Sequence, residues 1–82
     1  MQKNKRLSPD VRKEQILQVA IRIAAEYGLY RLNQRRVARL AGVSSSLVPY
    51  YFRSIKRLRC VVINRARKCK DERILRQVVR KK

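Results

Sequence analysis

The chain has 82 residues and carries 23 lysines and arginines against five carboxylates, a formal charge of +18. That length suits one small domain, and so much charge of one sign favours a polyanionic partner because the compact chain repels itself. With no histidine, two cysteines and no long apolar run, the composition argues against a zinc or haem site, a disulfide framework, a membrane span and an enzyme.

The chain opens with a basic segment, residues 1–7, that is predicted to be a flexible arm. Ser8 followed by Pro9 predicts the start of a first helix, because a hydroxyl caps the free N–H groups and proline suits the first position. Gly28 is predicted to end this helix in a left-handed conformation. The apolar face of the helix consists of Ile16, Leu17, Ala20, Ile21, Ile23, Ala24 and Tyr27.

The middle of the chain is predicted to form two short helices joined by a glycine turn. Asn33 is a good N-cap for a second helix that runs to about Leu40, and Gly42 breaks that helix. Ser44 is predicted to cap a third helix that ends near Tyr51, which is the geometry of a helix-turn-helix. The inward-facing residues of the second helix are predicted to be Val37, Ala38, Leu40 and Ala41.

A fourth helix is predicted to start at the cap Ser54 and to close the core with one stripe, made of Ile55, Leu58, Val62, Ala66 and Cys69. After it the apolar pattern turns by more than 90°, so the helix either bends near Asp71 or begins to serve a second surface, and Asp71 is also a candidate cap for a separate last helix. The prediction is an all-α domain over residues 8–70, a three-helix core plus a longer fourth helix. A short fifth helix over residues 71–82 is the open alternative.

Features spread from the first helix to the fourth have the spacing of a known family. In chain order they are Glu26, Tyr27 and Gly28, then Val37 and Ala38, then Ala41 to Ser44, then Tyr51, Phe52, Arg53, Ser54 and Leu58. From Arg12 to about Val62 the chain resembles the N-terminal DNA-binding domain of the TetR family of bacterial regulators. The resemblance covers a little over half of the chain.

Three departures from the family pattern stand out. TetR proteins usually continue into a long helical domain that dimerises and binds an inducer, and only about twenty residues follow here, so no inducer pocket is expected. Pro49 stands where the family commonly has a tyrosine on a phosphate, and it is expected to remove a bond from a short helix. Ile55 stands where a phosphate-contacting lysine is usual, with Lys56 as a candidate substitute.

The resemblance implies that the third helix enters the major groove with its first turn. Ser45, Ser46 and Leu47 are the predicted base contacts there, with burial of Leu47 as the alternative. Arg35, in the second helix, is predicted to read guanine, or else to bind a phosphate. Arg36 and Arg39 are either further contacts or solvated residues. The predicted phosphate contacts are Asn33, Ser44, Tyr50, Arg53 and Lys56.

Three other surfaces are open to more than one interpretation. Lys3, Lys5 and Arg6 form either a minor-groove arm or a merely attractive tail. Tyr51 and Phe52 are a weaker candidate for base stacking, because the resemblance places Phe52 in the core. The rotated stripe is either a homodimer seam or a surface that folds back onto the domain, and it consists of Ile74, Leu75, Val78 and Val79.

The favoured function is sequence-specific regulation of transcription through binding to double-stranded DNA. The protein is expected to be a repressor that needs no ligand and no cofactor, and to lie in the cytoplasm in association with the nucleoid. The alternative is an architectural or packaging protein that binds DNA mainly through charge. Binding to RNA or to an anionic membrane is a third, weaker possibility. Selection of bound duplexes from a random pool separates the first two.

Overall fold

Residues 8–79 are described by a computed structural model, in which helices follow one another without a β-strand. The elements are α1 (Pro9–Tyr27), a 3-10 turn (Leu29–Arg31), α2 (Gln34–Ala41), α3 (Leu47–Phe52), α4 (Ile55–Cys69) and α5 (Glu72–Val79). The all-α prediction is confirmed, including the fifth helix. The predicted arm with Lys3, Lys5 and Arg6 lies outside the described residues. None of the described helices is long and apolar enough to cross a bilayer.

The two ends of α1 follow from its flanking residues. The Ser8 hydroxyl accepts a hydrogen bond from the backbone N–H of Val11 at 3.3 Å, and Pro9 occupies the first turn. Gly28 has φ +118° and ψ 141°, so the prediction of a left-handed helical conformation is wrong, although the positive φ still favours glycine. The chain leaves α1 in an extended direction and enters the 3-10 turn, where Leu29 is fully buried.

One hydrophobic core joins all five helices, with α1 in the middle of it. Helix α1 packs against α2, α4 and the 3-10 turn, and it also contacts α5. Every buried side chain in residues 8–79 is apolar. The core consists of Ile16, Leu17, Ala20, Ile23, Ala24, Leu29, Leu32, Val37, Ala38, Val48, Phe52, Leu58, Val62, Ala66 and Ile74.

Two residues predicted to face inward are exposed. Leu40 is 56% exposed because the buried face of α2 is centred on Val37 and Ala38, and Leu40 points about 110° away from that centre at 100° per residue. Tyr27 is 59% exposed because it occupies the last turn of α1, beyond the core. The guanidinium of Arg36 lies over the Tyr27 ring at 5.6 Å, so Arg36 is not a freely solvated residue.

Helix α4 begins at the predicted cap, and its end differs from the prediction. The Ser54 hydroxyl accepts a hydrogen bond from the Arg57 N–H at 3.1 Å. Cys69, predicted in the buried stripe, is exposed, as is Cys60, and both thiols are free. Lys70 adopts a left-handed conformation with φ 55°, which ends α4 without glycine or proline. Asp71 then caps α5 by accepting from the Arg73 N–H at 3.2 Å.

The apolar stripe of α5 folds back onto the domain, so the prediction of a free dimer seam needs correction. Ile74 is fully buried in the common core and is unavailable to a second copy. Leu75 and Val78 are partly buried against the same core, while the side chain of Val79 lies outside the described part. The reversal at Lys70 brings the stripe onto α1 and α4, which buries apolar area within one chain.

An ion pair ties the first turns of α1 to α4. The guanidinium of Arg65 donates to both carboxylate oxygens of Glu14, at 2.8 and 3.0 Å. The side chain of Gln18 donates a further bond of 2.8 Å to the same carboxylate. Hydrogen bonds from Arg65 and then from Gln18 lower the pKa of Glu14 from its ordinary 4.5 to about 2.

Candidate nucleic-acid interface

The second helix starts with its free N–H groups turned to an exposed surface. The side-chain oxygen of Asn33 accepts a hydrogen bond from the Arg36 N–H at 2.8 Å, which confirms the predicted cap. Gln34 and Arg35 follow in the first turn, and both are exposed. This turn therefore presents a cationic side chain together with backbone dipoles that favour an anion.

A glycine turn connects α2 to the segment that precedes α3. Gly42 is left-handed, with φ 71°, and its N–H bonds back to the last turn of α2. The N–H of Val43 donates to the carbonyl of Ala38 at 3.0 Å, which satisfies one of the unpaired carbonyls at the helix end. A Cβ on Gly42 would meet no atom within 4 Å, so glycine is favoured here by its φ angle.

The third helix starts later than predicted. Ser45 and Ser46 form a turn before it, and the helix begins at Leu47. The hydroxyl of Ser44 does not cap it; that hydroxyl shares a hydrogen bond of 3.0 Å with the hydroxyl of Ser46. Ser46 occupies the cap position without a side-chain cap bond: its backbone is already helical, with φ −71° and ψ −16°, and the N–H of Val48 donates to the carbonyl of Ser45 at 3.3 Å.

The side chains of α3 divide between the core and the surface. Val48 and Phe52 are buried, and Leu47 is half-buried against the same core. The alternative prediction, that Leu47 is buried, is therefore correct in part. Burial of Phe52, with the ammonium of Lys13 5.5 Å from its ring centre, removes it as a base-stacking surface. Tyr50 is 75% exposed and meets the half-buried ring of Tyr51 edge to face.

The two candidate base-reading regions meet in one surface hollow. Its lining consists of Asn33, Gln34, Arg35 and Ser45. Arg35 from the first turn of α2 thus shares this hollow with Ser45 from the turn before α3, ten positions later in the chain. The stretch from residue 27 to residue 70, which contains this hollow, has no aspartate or glutamate. The hollow therefore combines hydrogen-bonding groups with a field of one sign.

The turn between α3 and α4 holds Arg53 in an unusual backbone conformation. Arg53 has φ 72° and ψ −55°, and the N–H of Ser54 donates to the carbonyl of Phe52 at 2.8 Å. These values describe a γ-turn, which is strained for any residue with a side chain. Arg53 and Lys56 are both exposed next to the N-terminus of α4, where the helix dipole also favours anions.

A family model described as "Bacterial regulatory proteins, tetR family" matches residues 16–59, more than half of the chain. The chain belongs to the TetR family. The match runs from within α1 through α2, the glycine turn and α3 to the start of α4, and it includes the four residues that line the hollow. No curated protein and no solved structure matches the chain significantly.

Membership in the TetR family makes this chain a DNA-binding regulatory domain, and that class is not enzymatic. Two departures from the TetR pattern have a structural explanation. Pro49 was expected to remove an internal bond of α3, and that expectation is wrong. It falls in the first turn of α3, where an N–H has no acceptor within the helix. Ile55 is half-buried and packs against the core, which leaves Lys56 and Arg57 as exposed cations of that turn.

Sequence analysis missed several residues on or near this surface. Gln34 lines the hollow, and its position next to the cap Asn33 was the available signal. Tyr30 and Arg59 gave no signal, because they come together only through packing: the guanidinium of Arg59 lies 5.3 Å from the centre of the Tyr30 ring.

Arg39 is exposed, and no hydrogen bond of its side chain is present in the described part of the chain.

Proposed function

We propose that this TetR-family chain is a transcriptional regulator that recognises a specific double-stranded DNA sequence through the major groove. The observation that carries the proposal is the hollow that Arg35 shares with Ser45 and the capped N-terminus of α2. A helix-turn-helix places its second helix, here α3, in the major groove with its N-terminal end at base edges, while its first helix, here α2, crosses the backbone and the helix termini meet the phosphates.

In this proposal the side chains have separate roles. Arg35 donates two hydrogen bonds to guanine, because its planar fork matches the O6 and N7 acceptors. Ser45 and Ser46 donate or accept at adjacent base edges, and the accessible part of Leu47 meets a thymine methyl. The proposed phosphate contacts, which fix the register on the duplex, are Asn33, Ser44, Tyr50, Arg53 and Lys56.

The proposal extends to ligand-independent repression by promoter occlusion, in the cytoplasm at the nucleoid. Residues 8–79 form one core that includes Ile74 of α5. A homodimer on a two-fold site is also proposed, because helix-turn-helix proteins commonly pair across half-sites. Leu75 and Val78 remain partly accessible for such a contact.

One alternative is an architectural protein that coats duplex DNA through charge. The net charge of +18 and the small, adaptable serines of the α2–α3 turn support it. Charge-driven binding is insensitive to base sequence and weakens steeply with salt. A regulator and a packaging protein therefore differ in how they respond to competing random DNA.

The experiment is selection of bound duplexes from a random pool, followed by competition. A regulator enriches one consensus and keeps it against a large excess of random duplex, since specific binding is typically ~10³ to 10⁷ tighter than non-specific binding. A palindromic consensus supports the dimer as well. A pool that stays random after repeated rounds rejects the regulator and leaves the architectural function.

A further inference from the structure

Arg59, in the first half of α4, is a cation that pairs with no carboxylate of residues 8–79. Its guanidinium stacks on the Tyr30 ring at 5.3 Å, and its Nε is buried without a hydrogen-bond acceptor among the described residues. The one ion pair in residues 8–79 joins Glu14 to Arg65, a different arginine of the same helix. The side chain of Arg59 is half-buried, while that of Tyr30 is 62% exposed.

This arrangement suits a phosphate ligand. A partly buried guanidinium loses hydration, and without a counter-ion it gains from any anion that reaches its accessible side. Cation–π attraction to an aromatic face restrains the position of the guanidinium, so less side-chain freedom is lost when a phosphate binds. Phosphate oxygens match two parallel N–H groups of arginine.

The position of the pair relates it to the proposed DNA contacts. Tyr30 is three residues before the α2 cap Asn33, so their Cα atoms are at most about 11 Å apart. Arg59 is five residues after the α4 cap Ser54, a rise of about 7.5 Å along the helix. Each strand of a duplex rises 3.4 Å per nucleotide, so distances of this size correspond to a few phosphates.

Helix α5 holds Tyr30 in this place. The side chain of Gln77 accepts a hydrogen bond from the N–H of Leu29, the residue before Tyr30, and donates to the carbonyl of Ala24 at 2.9 Å. Exposed Arg31 follows Tyr30 in the same 3-10 turn, and exposed Arg76 precedes Gln77 on α5.

We infer that Arg59, stacked on Tyr30, binds a backbone phosphate of duplex DNA outside the segment read by α3. The pair is a second anchoring point, positioned by α5 rather than by the helix-turn-helix. The inference rests on the proposed function, since it requires that the chain bind duplex DNA. It adds affinity without adding base specificity, because phosphates are common to all sequences.

The test compares Arg59→Gln with Arg67→Gln on the duplex selected by the parent chain. Both substitutions remove one positive charge from α4. Arg67 is exposed and lies about 12 Å further along the helix axis than Arg59. For Arg59→Gln we expect the slope of log K against log salt to lose about 0.9 in magnitude, with equal loss of affinity on selected and random duplexes. In a phosphate-ethylation interference experiment with Arg59→Gln, one phosphate outside the segment contacted by α3 should no longer interfere with binding when it is ethylated. Arg67→Gln should keep the parent slope and pattern.

The outcomes separate the two proposals. If the parent chain binds no duplex, the proposed function fails; if the parent binds and both variants share its slope and interference pattern, the Arg59 inference alone is wrong.

Circular dichroism of each variant checks the fold. Should Arg59→Gln fail to fold, Arg59→Lys takes its place: it keeps the charge but not the planar fork, so the slope should persist while affinity falls several-fold. Parent-like affinity in that variant overturns the inference.

Discussion

The side-chain carbonyl of Gln77, on the last described helix, accepts a hydrogen bond from the backbone N–H of Leu29, 48 residues earlier in the chain. The amide nitrogen of the same side chain donates to the carbonyl of Ala24 at 2.9 Å. The Ala24 carbonyl also accepts from the N–H of Gly28 at 3.1 Å. Gln77 therefore provides the acceptor for the N–H of Leu29, adds a second hydrogen bond to the Ala24 carbonyl and links α5 to the end of α1.

Replacement of Gln77 by alanine should lower the free energy of unfolding by about 1–3 kcal/mol, because the N–H of fully buried Leu29 then lacks its acceptor. Urea unfolding followed by circular dichroism measures the change. Gln15→Ala is the matched control, since Gln15 is exposed on α1. Equal stability of the two variants would show that the amide bridge contributes nothing.

Two leucines test the correction to the predicted core. Leu29→Ala should cost about 2–5 kcal/mol of unfolding free energy because the side chain is fully buried. Leu40→Ala should cost less than about 1 kcal/mol because Leu40 is 56% exposed. Both values come from the same urea titration. A larger loss at Leu40 would restore the original prediction that it faces inward.

The Glu14–Arg65 pair predicts a pH dependence of stability. Hydrogen bonds from Arg65 and then Gln18 lower the pKa of Glu14 to about 2, from 4.5 in an unfolded chain. The folded chain therefore binds the proton less readily, so the contribution is fully present above about pH 4.5 and disappears as the pH falls through 2.

Carboxyl NMR titration measures this effect directly. The pKa of Glu14 should be about 2 in the parent chain and should rise toward 4.5 in Arg65→Gln. Arg67→Gln removes the same charge nearby and should leave the titration of Glu14 as it is. The gain in unfolding free energy should be small, since Arg65 and Glu14 keep 33% and 47% of their side chains exposed. A pKa of Glu14 unaffected by Arg65→Gln contradicts the pairing.

The strained γ-turn at Arg53 predicts a conflict between stability and binding. Glycine accepts φ 72° without a Cβ clash, so Arg53→Gly should raise the unfolding free energy by about 1 kcal/mol. Lys70→Gly is matched, because Lys70 also has a positive φ, 55°, but lies at the far end of α4. Both variants should be stabilised, whereas only Arg53→Gly should weaken DNA binding. If Arg53→Gly binds DNA as the parent does, Arg53 is not a phosphate contact.

Arg35→Ala tests base reading against simple phosphate binding. If Arg35 reads guanine, its loss should cost about 1–3 kcal/mol of binding free energy and relax one position of the consensus. Arg39→Ala on the same helix is the comparison, since Arg39 is exposed outside the hollow. Binding constants on the consensus and on its single-base variants give the answer. A uniform loss over all of these duplexes assigns Arg35 to a phosphate.

Local sequence rules predicted the helix starts well. The caps Ser8, Asn33 and Ser54 each accept the expected backbone hydrogen bond, because capping depends on residues three positions apart. The same rules failed before α3, where Ser44 bonds to Ser46. There the helix begins at Leu47, three residues after Ser44, so Ser44 is too far from its first turn to act as the cap.

The hollow was predicted only in part. Arg35 and Ser45 were chosen singly as base contacts, and their meeting in one surface depends on how α2 packs against α3. Exposure of Leu40 and Tyr27 depended in the same way on which helix face has a neighbour. An apolar pattern shows that a face is suited to burial, and only the packed chain shows whether another element covers it.

By itself the sequence determined the positive field, the helical periodicity and the family, since each depends on residue type and near-neighbour spacing. Tertiary structure alone decided what the last helix does. Ile74 enters the common core, and Gln77 reaches Leu29 and Ala24. These contacts exist because the left-handed conformation of Lys70 turns the chain back on itself. The sequence has no glycine at this position that would have predicted the turn. The same reversal holds the turn on which Arg59 meets Tyr30, far apart in sequence and joined only by packing.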